Sequence, residues 1–139
     1  MQIALSVLAA PGDATSVSFI SVNRHETDIL MRRELDGLAA AYPDRFRVSY
    51  LLTQPSAGWS GHSGRGSAAF ARAALPAAAG TGGTMVMVCG TDGFVGSWAG
   101  ELERVEADPE RGVKKAKLQG AVGGWLKELG FNESQVYKF

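Results

Sequence analysis

Short runs of β-branched and aromatic residues recur along the chain and predict strands. Residues 17–22 form one such run, and residues 46–52 become continuously apolar, as in a strand covered on both faces. Residues 85–89 predict a third buried strand that breaks at Gly90, and residues 135–139 predict a final short strand. Helical patterns separate these runs, so the sequence predicts the α/β class: an open parallel sheet with helices on both faces.

Helices are predicted in the first half by apolar spacing and by caps. Residues 1–10 are apolar but lack a basic n-region, so they predict an amphipathic first helix rather than a signal peptide. Residues 27–42 predict a helix capped by Thr27 and ended by Pro43. Its buried face would carry Met31, Leu35 and Leu38.

In the second half, Ser67 predicts the cap of a short helix that Pro76 stops, and a further helix starts near Gly93. The charged residues 108–117 predict a surface insertion. A last helix, with Gly130 at its C-cap, would follow and carry Leu118, Val122, Trp125 and Leu129.

Composition adds few constraints. The chain has 139 residues, 45% of them hydrophobic, which suits one compact domain spanning residues 1–139. Lys plus Arg equals Asp plus Glu at 14 each, so net charge favours neither nucleic acid nor an anionic membrane as a partner. A single cysteine excludes an intrachain disulfide.

Ligands of open α/β sheets bind beyond the carboxyl ends of the strands, which directs attention to residues 23–26, 53–66 and 90–94. Cys89 and Gly90, followed by Gly93, would let a ligand approach the backbone closely. The helix N-terminus behind them would attract an anion or a carboxamide oxygen.

Cys89 admits three interpretations on the sequence alone. It could be a small buried hydrophobe of the strand, or a nucleophilic thiol paired with His25 or His62. It could also be a metal ligand, but one Cys and two distant His form no cluster with recognised ligand spacing, so no metal site is predicted.

The long loop holds further candidates. Gly64 to Ser67, with Arg65 among them, could cradle a phosphate or form an ordinary glycine-rich loop with a Ser cap. Trp59 could offer a face to an adenine or pin the loop. Glu26 and Asp28 are interpreted as partners of a helix dipole rather than acid/base catalysts.

Taken together, these segments resemble the nucleotide domain of the NADH-cytochrome b5 reductases, within the ferredoxin–NADP reductase superfamily. Residues 23–30 (NRHETDIL) resemble an Asn-x-x-Glu-x-Asp-Ile-Leu motif, which residues 31–35 continue, and residues 50–59 followed by Gly64-Arg65 resemble the family's loop. Val88-Cys89-Gly90 resembles a Cys-Gly-Pro-Pro element, and the ends LKELGF and VYKF resemble fungal and algal members of mitochondrial type.

The resemblance implies a function as well as a fold. Hydride would pass from NADH to FAD, and electrons would continue to cytochrome b5 or a similar haem acceptor. Cys89 would be the catalytic-site residue, positioning and tuning rather than attacking, and Phe139 would lie near the flavin. The implied cofactor-binding residues are Asn23, Thr53, Trp59, Arg65, Cys89, Gly90, Thr91, Asp92, Gly93, Phe94 and Phe139.

Three departures from the family pattern qualify these expectations. Thr91-Asp92 replaces Pro-Pro, and Thr53 stands where an acidic residue often favours NADH, so NADH is expected with some tolerance of NADPH through Arg65. The family's first strand, with its Gly-Gly-Thr-Gly-Ile-Thr-Pro stretch, and its flavin barrel are not found in the chain. The missing strand would be the central one, so we expect the chain to be marginally stable or self-associating.

The alternative is a non-catalytic nucleotide-binding or interaction module left by truncation. By resemblance the location would be a mitochondrial or endoplasmic-reticulum membrane, with the domain facing a soluble compartment. A flavin domain or an upstream segment would be the expected partner of the chain.

Overall fold

The computed structural model describes residues 1–78, 83–107 and 116–139, which form two compact units, Met1–Gly66 and Ser67–Phe139. The first unit contains α1 (Gln2–Ala9), β1 (Val17–Asn23), a 3₁₀ turn (Glu26–Asp28), α2 (Arg32–Ala41), β2 (Phe46–Leu52) and β3 (His62–Ser63). The second contains α3 (Ala68–Ala74), β4 (Val86–Val88), α4 (Asp92–Ala99), β5 (Glu103–Val105), β6 (Ala116–Leu118), α5 (Gly124–Glu128) and β7 (Val136–Lys138).

The first unit is built on two long parallel strands. β1 pairs with β2 from Val17 opposite Phe46 to Asn23 opposite Leu52. The two-residue β3, which lies within the predicted loop, pairs in parallel with the end of β2. Helices α1 and α2 supply Ala4, Leu8 and Leu35 to a core with Phe46. The predicted positions of α1, β1 and β2 are therefore confirmed.

Arg45 fixes the end of α1. Its Nη2 donates to Val7 O at 3.0 Å and to Thr15 O at 3.1 Å. The last carbonyls of a helix have no partner within the helix, and a guanidinium satisfies them while complementing the helix dipole.

The helix predicted over residues 27–42 is wrong at its start. Residues 26–28 form a separate 3₁₀ turn, in which the Asp28 carboxylate accepts from His25 N at 2.9 Å. Met31 then takes a left-handed conformation with φ 55°, and α2 begins at Arg32. Thr27 does not cap α2, and Met31 is half exposed rather than buried.

The second unit contains two small sheets. β4 and β7 pair in parallel, with Val86 opposite Val136 and Val88 opposite Lys138, while β5 and β6 form an antiparallel hairpin. Helix α3 is capped as predicted, because Ser67 Oγ accepts from Phe70 N at 3.1 Å. Trp98 lies at the centre of the aromatic core of the second unit and contacts the rings of Phe70, Phe94 and Trp125.

Two predictions for the second unit need correction. Residues 85–89 are not a strand buried on both faces, since Met85 and Met87 are exposed while Val88 is buried. The last helix is limited to Gly124–Glu128, so Leu118 lies in β6 and Val122 precedes the helix.

Gly124 explains where the last helix begins. It has φ +54°, and a Cβ at this position would lie 2.2 Å from Ser97 O, so only glycine allows this approach to α4. The C-cap is Leu129, and Gly130, predicted for that position, follows it with φ +88°.

The α/β class with parallel strands is confirmed. Of the predicted surface insertion, residues 108–115 lie outside the described part of the chain, and so do residues 79–82 before β4. No helix in the described ranges has the length and apolarity to cross a bilayer.

Candidate functional site

In the first unit, two of the predicted ligand-binding segments lie side by side. Thr53 N donates to Asn23 O and Gln54 N to Arg24 O, both at 2.9 Å, so the parallel pairing continues beyond β1 and β2. The His25 ring adds a bond from Nδ1 to Gln54 O at 2.9 Å. The carboxyl ends of the strands thus carry Asn23 and Thr53 on adjacent backbones.

Arg32 contacts several side chains on the surface next to these strand ends. Its guanidinium carbon lies 5.5 Å from the centre of the Tyr50 ring and 5.8 Å from that of Trp59, which is cation–π geometry. The same group pairs with Glu26 and approaches the Asp36 carboxylate at 3.7 Å. The hydrogen bond to Glu26 raises the pKa of Arg32.

Tyr50 and Asp36 complete this cluster. The Tyr50 hydroxyl donates to Asp36 Oδ1 at 2.7 Å. Burial, and then the bond to Asp36, raise the pKa of Tyr50 above its ordinary value. Tyr50 therefore acts here as a neutral hydrogen-bond donor and as a face for Arg32.

Trp59 pins the loop in which it lies. Its indole Nε1 donates to His62 O at 2.9 Å. The ring lies against Gly61, where an added Cβ would come within 2.5 Å of Trp59 Cζ2. These contacts agree with the pinning interpretation, and they leave the use of the ring by an adenine as a prediction.

Arg65 is exposed between two glycines, Gly64 and Gly66, with φ near +104° and +103°. The segment from Gly64 to Ser67 crosses the boundary between the two units. Ser67 acts as a helix cap, and the phosphate cradle stays a prediction.

In the second unit, the turn after β4 is open to solvent. Cys89 is an exposed thiol, so its interpretation as a buried hydrophobe is wrong. Residues 90–93 are exposed as well. Thr91 caps α4 by accepting from Phe94 N at 3.3 Å, and the Phe94 ring lies over Gly90, where a Cβ would be 2.7 Å from Cδ1. The close packing of the Phe94 ring therefore leaves no room for a side chain at Gly90.

Phe139 lies next to this turn. Its N–H donates to Val88 O at 2.9 Å, which places the last residue beside Cys89 at the carboxyl ends of β4 and β7. Its ring makes an edge contact with Tyr137 at 4.9 Å between centroids and is 57% exposed. The structure therefore places Phe139, which the resemblance puts near the flavin, beside Cys89 and Gly90, which it puts near the nicotinamide.

Asp92, predicted as a cofactor-binding residue, also pairs with side chains of the β5–β6 hairpin. Its carboxylate pairs with Arg104 and accepts from Lys117 Nζ at 3.1 Å, and the bond from Lys117 lowers its pKa. Asp92 thus ties the β5–β6 hairpin to the start of α4.

Sequence reasoning missed the parts played by Arg32 and Lys138. Lys138 stands two residues after Val136, at the spacing where strand alternation calls for another buried apolar residue. A lysine at this position was therefore the signal in the sequence from which its special role could have been inferred.

Cys89 belongs to the second unit and both histidines to the first. The described ranges contain no group of three candidate metal ligands.

Residues 1–99 match the family described as oxidoreductase NAD-binding domain, and the chain belongs to that family. It is 37% identical over 138 residues to NADH-cytochrome b5 reductase 2 of Coccidioides immitis, covering 99% of this chain and 39% of the relative. Identity to reductase 2-A of Vanderwaltozyma polyspora is 35%, covering 99% of this chain and 42% of the relative. The chain thus spans about two fifths of these relatives' length.

Solved structures agree with this assignment. The cytochrome b5 reductase domain of Ulva prolifera nitrate reductase superposes with a TM-score of 0.74 at 25% identity, over 99% of this chain and 44% of that one. The CS-b5R domains of human Ncb5or, in the NAD⁺ form, give a TM-score of 0.70 at 23% identity over 99% and 32%. The latter likeness concerns the fold alone. The chain is an oxidoreductase NAD-binding domain, and it is similar to part of the cytochrome b5 reductases named above.

Proposed function

We propose that the chain binds NADH as the nucleotide-binding part of a flavin-dependent reductase, whose electrons pass one at a time to cytochrome b5 or a similar haem acceptor. Membership of the NAD-binding domain family and relatives named NADH-cytochrome b5 reductase support this function. The single observation that carries it is the placement of Cys89, Gly90 and Phe139 together at the carboxyl ends of two paired parallel strands.

We assign the nicotinamide end to this turn. Gly90 has no side chain and lets a planar ring approach the backbone, and the exposed N-terminus of α4 follows at once. The Cys89 thiol is proposed to lie next to the nicotinamide ring, where it positions and tunes the ring without forming a covalent bond to it. FAD, if bound next to this turn, would supply the acceptor for the hydride of NADH.

The described residues fit the flavin in one respect. Phe139 offers an exposed ring at the end of β7, where it can border a flavin. The other contacts to FAD are proposed to come from a flavin domain or an upstream segment, because no further residue of this chain is assigned to the flavin.

For the adenosine end, we propose residues at the strand ends of the first unit. Asn23 and Thr53 lie on adjacent backbones, and the partly buried ring of Trp59 is proposed to stack on the base. NADH is the preferred nucleotide by resemblance to the family. Thr53 carries no negative charge that would repel a 2′-phosphate, so Arg65 would permit some use of NADPH.

Calorimetric titration of the chain with NADH and with NADPH tests the proposal. We expect NADH to bind, Gly90→Ala to weaken binding because its Cβ displaces Phe94, and Gly37→Ala to leave binding unchanged, since Gly37 has open space in α2. Absence of NADH binding by the folded wild-type chain would contradict the proposal.

An NADH:ferricyanide assay with and without added FAD separates the two versions of the function. Binding without turnover is expected of a nucleotide domain that needs a flavin partner, and it would equally suit a non-catalytic module. Turnover that appears on adding a flavin domain of a relative would favour the reductase. The location, a mitochondrial or endoplasmic-reticulum membrane, is proposed from the resemblance to the family alone.

A further inference from the structure

Lys138 is a charged residue in the interior of the second unit. It is 2% exposed, and its neighbours on the same face of the β4–β7 pair, Val88 and Val136, are buried too. Burial lowers the pKa of its ammonium. A charge in such a place is tolerated when its N–H groups are hydrogen-bonded.

Three backbone carbonyls surround this ammonium. Nζ donates to Ala121 O at 3.0 Å, to Glu101 O at 3.1 Å and to Gly100 O at 3.5 Å. An ammonium has three donors, so donors and acceptors match in number. The acceptors come from two segments, one after α4 and one before α5, and Lys138 ties β7 to both.

Gln119 holds the backbone of the same residue. Its Nε2 donates to Lys138 O at 2.8 Å, and its Oε1 accepts from Lys138 N at 2.7 Å. The side-chain amide thus replaces a neighbouring strand at this edge of β7. The next residue is Phe139, whose N–H bonds to Val88 O.

We propose that Lys138 is a positioning residue: its ammonium, bound to the carbonyls of Gly100, Glu101 and Ala121, keeps the end of β7 in place so that Phe139 stays beside Cys89. The value of this placement rests on the proposed function, in which Phe139 borders the flavin and Cys89 the nicotinamide. A lysine that only filled space could be replaced by methionine, which has a similar stem and no donors.

Amide hydrogen exchange of the full chain, measured by NMR without nucleotide, tests the proposal. Two amides report on opposite ends of the strand pair: Phe139 N–H, bonded to Val88 O, and Val86 N–H, bonded to Gln135 O at 2.7 Å. Lys138→Met should accelerate exchange at Phe139 by about tenfold or more and leave Val86 protected, because local opening is confined to the end of β7.

Two further variants serve as controls. Lys138→Arg should restore slow exchange at Phe139, because a guanidinium can also donate to several carbonyls. Lys127→Met, at an exposed position of α5, should behave as the wild type. Equal acceleration at Phe139 and Val86 would mean that Lys138 serves general stability, and no acceleration would mean that it only fills space; either result overturns the proposal.

A measurement on the wild-type chain applies even if Lys138→Met does not fold. The ammonium of Lys138 should give a protected ¹⁵N signal, unlike that of the exposed Lys127. Exchange of the Lys138 ammonium as fast as that of Lys127 would overturn the proposal. Neither measurement uses NADH, so a failure of nucleotide binding would leave this inference to be judged separately.

Discussion

Single-residue contacts decide how the Trp59 loop is held. The indole Nε1 donates to His62 O, and Gly61 leaves room for the same edge of the ring. Arg32 lies beside the ring and joins it to Glu26 on the 3₁₀ turn. The loop is thus held by local contacts of Trp59 with Gly61 and His62 and by one contact with Arg32, which lies far away in sequence.

Gly61→Ala should loosen this loop. Its Cβ would lie 2.5 Å from Trp59 Cζ2 and 2.8 Å from Cε2, so the ring must move and the bond to His62 O should be lost. We expect a fall of about 1–3 kcal/mol in the unfolding free energy, the usual cost of overpacking. Urea unfolding followed by circular dichroism measures it.

Gly58→Ala provides the matched control in the same loop, since a Cβ at Gly58 meets nothing within 4 Å. Its unfolding free energy should stay within about 0.5 kcal/mol of the wild-type value, as for surface substitutions generally. Equal effects of the two alanines would show that the packing of Trp59 against Gly61 has no energetic importance.

At the scale of elements, a separate 3₁₀ turn with its own cap precedes α2. Asp28 caps its own 3₁₀ turn through His25 N, and Glu26 reaches forward to Arg32. The chain must then reverse before α2, and Met31 does so at φ 55°. A non-glycine residue pays about 1–2 kcal/mol for this conformation.

Met31→Gly should therefore stabilise the chain by roughly 0.5–1 kcal/mol, because glycine adopts positive φ without steric cost but loses more entropy on folding. Met31 is half exposed, so little packing is lost. Met31→Ala keeps the strained conformation and should give no gain. The comparison uses midpoints of chemical unfolding, and a destabilised glycine variant would contradict the expectation.

At the scale of the whole molecule, the parallel strands are divided between separate sheets. β1 pairs with β2 and β4 with β7, and within the described ranges no strand joins β1 to β4. Val17 N and Asn23 O both bond on the β2 side, at Arg45 O and Thr53 N. Because residues of a parallel strand alternate in direction, Ser18, Ile20 and Val22 present their backbone groups at the opposite edge.

Such an edge is a template for pairing with another chain, so we expect association that grows with concentration in sedimentation velocity. Ser18→Pro removes one edge donor without touching the ladder to β2, and it should shift the distribution towards monomer. Ser18→Ala keeps that donor and should associate as the wild type. A wild-type chain that stays monomeric at every concentration would contradict the expectation.

The sequence by itself determined what depends on neighbours along the chain. The runs at residues 17–22 and 46–52 are strands, Ser67 is a cap, and the α/β class follows from their alternation with helices. The motif at residues 23–30 resembled the reductases to which the chain is similar, and the NAD-binding domain family was then shown. These features are readable because strand alternation, helical spacing and capping are local properties.

Only the tertiary structure decided what depends on partners far away in sequence. The carbonyls that accept hydrogen bonds from Lys138 Nζ lie 17 to 38 residues from it in sequence. The fold buries Val88 and leaves the next residue, Cys89, exposed. Leu118 joined a hairpin with Glu103 instead of a helix. Burial and pairing are set by which segments meet in the fold, and a periodic pattern does not specify its partner.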